Sequence, residues 1–173
     1  MLKNRAFAWI LTILIMILSV FIGAYASYAG MRNAAAAAFE REMLPLVNEA
    51  MIHAHDMQSI AQNYLSAADI TAIGISRIVS EIQATDDPVQ IYEQFVLLNR
   101  AVWEIYDRLI GGNMTMSGTN RNLAIDSHAD FMLMDTILSQ MGYNNTAGNF
   151  NDALNGGLGF LTRPFISEMP RFD

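Results

Sequence analysis

The sequence contains no cysteine and a single lysine, Lys3. Without cysteine there is no disulfide framework, no Cys-ligated zinc, no thiol nucleophile and no covalently attached haem. Eight arginines and all seventeen acidic residues follow residue 31, so this part of the chain has a net charge of −9. Nucleic-acid-binding proteins need a basic stripe, so we expect no nucleic-acid partner. The same charge disfavours a body that lies flat on anionic lipid.

The sequence motifs of common enzyme classes are also missing. The Gly-rich stretch GGNMTMSGTN has neither a Walker lysine nor a preceding strand. The chain has no Gly-x-Ser-x-Gly elbow and no His-Glu-x-x-His motif. Helix capping explains the paired carboxylates Asp86 and Asp87. We therefore expect no enzymatic activity and no cofactor, and we assign no catalytic, cofactor-binding or metal-binding residue.

Histidines and methionines are the strongest candidates for metal ligation. In the stretch HAHD, His53 and His55 point about 200° apart on a helix and cannot share one metal ion. His128 lies near two aspartates, an arrangement that favours pairing on a helix surface over ligation. The methionines of MTM and MLM are soft ligands that suit Cu(I), but filling a core is the commoner use of methionine. A metal-binding bundle is therefore the weakest of our functional hypotheses.

Apolar residues are abundant, at 53% of the chain with a mean hydropathy of +0.23. Residues 6–31 carry no charge, and FAWILTILIMILSVFIG is nearly all large and apolar. With its small-residue extension, this run reaches the roughly 20 residues that a helix needs to cross a bilayer. We predict a basic flank at residues 1–5 and a transmembrane helix at residues 6–28.

A cleaved signal peptide is the alternative interpretation of this segment, with AYA (residues 24–26) as its cleavage site. Its apolar region would exceed the usual length of about 7–15 residues, and Trp9 and Tyr25 lie where interfacial aromatic residues anchor a span. These features favour an uncleaved anchor that contacts the lipid bilayer. Lys3 and Arg5 make positive charge slightly denser before the span. This favours a single-pass protein of the cell membrane with its body outside the cytoplasm.

Helical periodicity dominates the next part of the chain. An apolar seam with steps of 3 and 4 runs from Leu44 to Leu65. Pro45 should either kink this helix or begin a new one, because proline lacks the N–H that a helix interior uses. The stretch DITAIGISRIVSEI is predicted as one helix, although its Ile and Val content also fits a strand.

The clearest helix follows TDDPVQ, in which Asp86 or Asp87 is the cap and Pro88 the first helical residue. Its apolar positions step by 4, 3, 4, 3 and 4, at Ile91, Phe95, Leu98, Val102, Ile105 and Leu109. The Gly-rich loop then leads, with Thr119 or Asn120 as cap, into a last helix at about residues 120–143. NNTAGNFNDALNGG loses the pattern.

These elements predict an all-α protein. A transmembrane helix leads into an antiparallel bundle of three to four long helices at residues 29–155, and an irregular apolar tail follows at residues 156–173.

Four features in order resemble the LemA family of membrane-anchored helical proteins of bacteria. An N-terminal span leads to RNAAAAAFEREMLPLVNEA, and QSIAQNYL follows. YNNTAGNFNDAL is similar to the family's two aromatic-Asn dipeptides on its final helix, here Tyr143-Asn144 and Phe150-Asn151. GLGFLTRPFISEMPRFD is similar to the family ending. The resemblance implies an antiparallel bundle behind one transmembrane segment, and it implies neither an enzyme activity nor catalytic residues.

The leading functional hypothesis is a membrane-tethered scaffold or interaction module, with a protein partner or a second copy of the chain bound to it. The alternative is a sensor-like bundle that binds a small ligand between helices and acts through a partner. The tail has two interpretations as well. Phe160, Phe165 and Phe172 either fold back and cap the bundle, since Phe is costly to leave in water, or form a docking segment for a partner or the bilayer surface.

Overall fold

The computed structural model describes residues 2–112 and 114–172, with all their side chains except those of residues 2–4, 6, 71 and 72. Asn113 of the Gly-rich loop, Asp173 at the end of the tail and the side chain of Lys3 lie outside this description. The described residues form helices and no strand, which confirms the all-α prediction. The α-helices are α1 (Leu2–Glu42), α2 (Leu44–Ala61), α3 (Ala67–Ile73), α4 (Ile75–Gln83), α5 (Pro88–Tyr106), α6 (Gly118–Gln140) and α7 (Gly142–Asn155).

Helix α1 is 41 residues long and continues without a break from the apolar run into the Ala-rich stretch. By length and composition it is the one helix in the described chain that could cross a membrane. Its last two turns enter the core, where Ala35 and Phe39 are fully buried. Pro45 begins a new helix, since α1 ends at Glu42 and the proline occupies the first turn of α2, where its missing N–H costs nothing.

The bundle consists of two antiparallel pairs of helices placed end to end. Helix α2 packs along α6, and the side chain of Asn120 donates to the hydroxyl of Tyr64 (2.6 Å), so the end of α2 meets the start of α6. Helix α1 packs along α7, and the rings of Phe39 and Tyr143 lie 5.4 Å apart. Because α1 leads into α2 and α6 into α7, the two pairs form one long rod of helices.

Helices α3, α4 and α5 flank this rod. The prediction of one helix through DITAIGISRIVSEI is wrong, because Gly74 adopts a left-handed conformation (φ 70°) that ends α3 and starts α4. Helix α4 packs on α5 and on α2, where Ser76 donates to the side chain of Gln58 (2.7 Å). The prediction for α5 is confirmed: Asp87 accepts from the Val89 N–H (3.2 Å), and all six seam positions are buried, five in α5 and Leu109 in the π-helical turn Asp107–Gly111 that follows it.

The end of the chain departs from the sequence-based prediction. Ser117, rather than Thr119 or Asn120, caps α6 by accepting from the Asn120 N–H (3.2 Å). The chain becomes extended at Met141, so α6 ends at Gln140 and a second helix, α7, begins at Gly142. The stretch predicted to lose helical pattern is therefore helical. Its buried face consists of Tyr143, Asn144, Ala147, Phe150 and Leu154.

Candidate functional site where the tail meets α7 and α1

The tail folds back along α7, and Asn144 holds its last described residue. The Phe172 N–H donates to Asn144 Oδ1 (2.9 Å), and Asn144 Nδ2 donates to the Phe172 carbonyl (3.1 Å). The side-chain amide thus pairs with the backbone of Phe172 as a neighbouring strand would. Such pairing satisfies two backbone groups that burial would otherwise leave without a partner.

Asn151 makes the same pair of hydrogen bonds to Met169. The Met169 N–H donates to Asn151 Oδ1 and Asn151 Nδ2 donates to the Met169 carbonyl, both at 2.8 Å. Residues seven apart lie on the same face of a helix, so Asn144 and Asn151 act along one line. We call these two residues the asparagine clamp. Tyr143 adds a bond from its hydroxyl to the Pro170 carbonyl (3.0 Å).

Asn144 also closes the break between α6 and α7. The two N–H groups of its Nδ2 are shared among three acceptors: besides the Phe172 carbonyl, these are the carbonyls of Leu138 (2.9 Å) and Ser139 (3.0 Å), at the carboxyl end of α6. Helix ends leave such carbonyls without an intrahelical partner. One buried side chain therefore ties α6, α7 and the tail together, which makes Asn144 the most highly connected polar group of this region.

Phe172 completes the core at this end of the bundle. Its ring is 4% exposed and lies 4.9 Å from Tyr92, 5.6 Å from Phe95 and 6.1 Å from Phe39. Aromatic pairs at these separations stabilise beyond the area they bury. Capping, the first of the two interpretations of the tail, is correct for Phe172.

Capping is wrong for Phe160 and Phe165, which are 64% and 67% exposed. Phe165 packs edge-on against Phe21, in the apolar part of α1, with ring centroids 5.9 Å apart. The 3₁₀ turn Gly159–Leu161 also contacts α1. The tail thus has a buried terminal segment and an exposed apolar loop, residues 158–165, beside the apolar part of α1.

A cavity of about 530 Å³ lies between α5 and α6 and has Phe172 in its wall. Its polar lining includes Asn99, Arg100 and Asp135. Burial raises the pKa of Asp135 above its usual range, and a hydrogen bond from Asn99 opposes the rise only in part. The cavity therefore combines a guanidinium group with a carboxylate that is costly to ionise.

The histidines and methionines weighed for metal binding are dispersed. His53 is half-buried and His55 exposed on α2, whereas His128 on α6 stacks on Tyr106 (3.9 Å) and meets Trp103 edge-on (4.5 Å). Burial lowers the pKa of His128 and so favours the neutral form of its ring. The methionines of MTM and MLM lie in the core or pack against it. Within residues 2–112 and 114–172, no group of three or more His, Asp or Glu side chains is placed to hold a metal ion.

No protein-family model, curated protein or solved structure matches the chain. The resemblance to the LemA family therefore stays a prediction from the residues. That resemblance singles out Tyr143-Asn144 and Phe150-Asn151 but implies no role for them. The signal that could have revealed the clamp is the seven-residue spacing of two asparagines, each directly after a large aromatic residue on a short helix.

Proposed function

We propose that this protein is a membrane-anchored scaffold of the LemA type that presents a rigid helical bundle to protein partners and has no catalytic activity. In this proposal the apolar part of α1 spans the cell membrane once and the bundle lies outside the cytoplasm. The observation that carries the proposal is the continuity of α1. One helix runs from the apolar segment into the core at Phe39, without a flexible linker.

A continuous helix supports a scaffold because it fixes the height and orientation of the bundle relative to the anchor. A linker rich in glycine or proline would leave the bundle free to reorient. Phe165 on Phe21 forms a second connection between bundle and anchor, and cleavage after Ala26 would remove it. This contact supports an uncleaved anchor over a signal peptide.

The partner surface in this proposal is the side of the bundle formed by α5 and α6. Large apolar side chains are exposed there, among them Leu97 (39%), Leu123 (49%) and Leu133 (52%). A photoreactive residue at each of these positions, in native membranes, tests the proposal. We expect the chain to remain in the membrane after an alkaline wash, at its full mass, and to form the same protein adduct in repeated preparations.

Each part of this proposal has its own contradicting result. A chain that an alkaline wash releases, at a mass lacking about the first 26 residues, would refute the anchor. A chain that stays in the membrane but yields no protein adduct at any of the three positions would refute the scaffold. An adduct with a second copy of the chain would identify self-association as the interaction.

The cavity beside Phe172 favours a second candidate function, binding of a small ligand between α5 and α6. Arg100 and Asp135 both line this cavity and suit a ligand that carries both an anionic and a cationic group, such as an amino acid. We expect such a ligand to raise the melting temperature of the full chain and Asp135→Asn to abolish the rise. No rise with a panel of amino acids would exclude this class of ligand.

The pKa of Asp135 supplies a control on folding for that experiment. A carboxyl whose pKa is raised in the folded state contributes stability at low pH and loses it as pH rises through the folded-state pKa. Asp135→Asn should therefore be more stable than the unchanged chain at pH 8 and about equally stable at pH 3, below the unfolded-state pKa. A loss of ligand binding in this variant could then not be attributed to unfolding.

A further inference from the structure

The apolar loop, residues 158–165, exposes three large side chains on an ordered scaffold. Leu158 is 47% exposed, Phe160 64% and Phe165 67%. The loop's backbone is held by a 3₁₀ turn and by bonds from the N–H groups of Arg163 and Phe165 to the carbonyls of Gly159 and Thr162. Gly159 and Thr162 themselves are buried. The fold therefore fixes these apolar side chains in an exposed position, which is typical of an interaction surface.

The contact between Phe165 and Phe21 sets how deep Phe165 would lie in a membrane crossed by α1. The 15 residues from 7 to 21 would span only about 22 Å as a helix. A bilayer core is about 30 Å thick, and tilting the helix would shorten its reach across that core further. The charge of Arg5 opposes a shift of the span towards the amino terminus. If α1 crosses the membrane, the lipid must extend past Phe21, and Phe165 lies at the same level.

The chemistry of the loop fits the same environment. Residues 158–165 contain no acidic residue, and their one charged residue is Arg163. Exposed aromatic side chains next to an arginine suit the boundary between acyl chains and phosphate groups. Arg163 lies 3.6 Å from Glu168 in an exposed ion pair, so the loop carries no net negative charge for anionic lipid to repel.

We propose that the apolar loop is a second membrane-contact site, in which Leu158, Phe160 and Phe165 insert into the leaflet beside α1. The occupant of this surface is lipid rather than protein, because the loop is continuous with the apolar surface of α1 through Phe21 and Phe165. The inference rests on the anchoring part of the proposed function. Two points of attachment prevent the bundle from rotating about the span, so one fixed side of it faces outward.

Site-specific fluorescence in nanodiscs tests the loop directly. Because the chain has no cysteine, one cysteine can be introduced at a time, as Phe160→Cys, Phe165→Cys, Ile13→Cys or Ile52→Cys, each carrying an environment-sensitive dye. Ile13 reports on the anchor, and Ile52, an exposed residue of α2 outside both proposed interaction surfaces, is the matched aqueous control. Nanodiscs of phosphatidylcholine and phosphatidylglycerol contain no partner protein, so any shielding comes from lipid or from the chain itself.

We expect the dyes at 160 and 165 to be quenched by brominated phosphatidylcholine and to be at least ~5-fold less accessible to iodide than the dye at 52, since interfacial insertion removes side chains from water. Dyes at 160 and 165 that behave like the dye at 52, while the dye at 13 is quenched by the lipid, would overturn the loop proposal alone. A dye at 13 that is open to iodide would overturn the anchor and the loop together.

Discussion

Phe172→Ala is expected to lower the free energy of unfolding of the bundle by about 3–5 kcal/mol. The ring is almost fully buried among Phe39, Tyr92 and Phe95, so its removal leaves a cavity between α1, α5 and the tail. Urea denaturation of the full chain in mild detergent, followed by far-ultraviolet circular dichroism, would measure the loss.

Ile52→Ala is the matched control for this measurement. Ile52 is a large apolar residue of α2 that is 60% exposed and lies outside the loop proposed to contact lipid, so its removal should change the free energy by less than about 0.5 kcal/mol. Equal small effects of the two substitutions would mean that the terminal segment is not part of the folded core. Equal large effects would mean that Ile52 is buried, contrary to the structure.

Asn144→Ala is expected to lower the free energy of unfolding by about 3 kcal/mol. A buried polar group left unpaired costs about 1–3 kcal/mol, and the Asn144 side chain hydrogen-bonds to several such groups. The carbonyls of Leu138, Ser139 and Phe172 would lose a donor, and the Phe172 N–H would lose its acceptor. Asn151 is half-buried and serves one residue, so Asn151→Ala should cost about 1–2 kcal/mol. The same denaturation experiment would rank the two.

Asn145→Ala and Asn144→Asp sharpen the test of Asn144. Asn145 is exposed on the same helix, and its replacement should be neutral within about 0.5 kcal/mol. Aspartate at position 144 keeps an acceptor for the Phe172 N–H but places a carboxylate against three carbonyl oxygens, so it should destabilise at least as much as alanine. A neutral Asn144→Asp would show that the hydrogen bonds donated by Asn144 Nδ2 do not contribute to stability.

The sequence predicts the helices that carry a long seam of apolar residues. Helix α5 is the clearest case, because its five seam residues, and Leu109 in the turn that follows it, step by 3 and 4 and are all buried. The same pattern does not predict α7, because Asn144 occupies a buried position on the packed face of this helix and interrupts its apolar residues. The split between α3 and α4 was missed because a single glycine in an isoleucine-rich stretch does not indicate a left-handed backbone.

The tail shows more clearly which features sequence periodicity cannot predict. Three phenylalanines within thirteen residues have the same hydropathy, yet Phe172 is buried while Phe160 and Phe165 are exposed. The difference arises from contacts far apart in the sequence: Asn144 fixes the backbone of Phe172, and Phe21 receives the ring of Phe165. No spacing within the tail encodes either contact, so neither interpretation of the tail could be correct for all three residues.

The asparagine clamp holds the terminal segment in place, and amide hydrogen exchange of the full chain in nanodiscs tests this most directly. The amides of Met169 and Phe172 donate to the side chains of Asn151 and Asn144, so both should be protected, and that of Phe172 nearly as strongly as the amides of the buried seam of α5. Exchange of both amides at the rate of an unstructured peptide would contradict the claim.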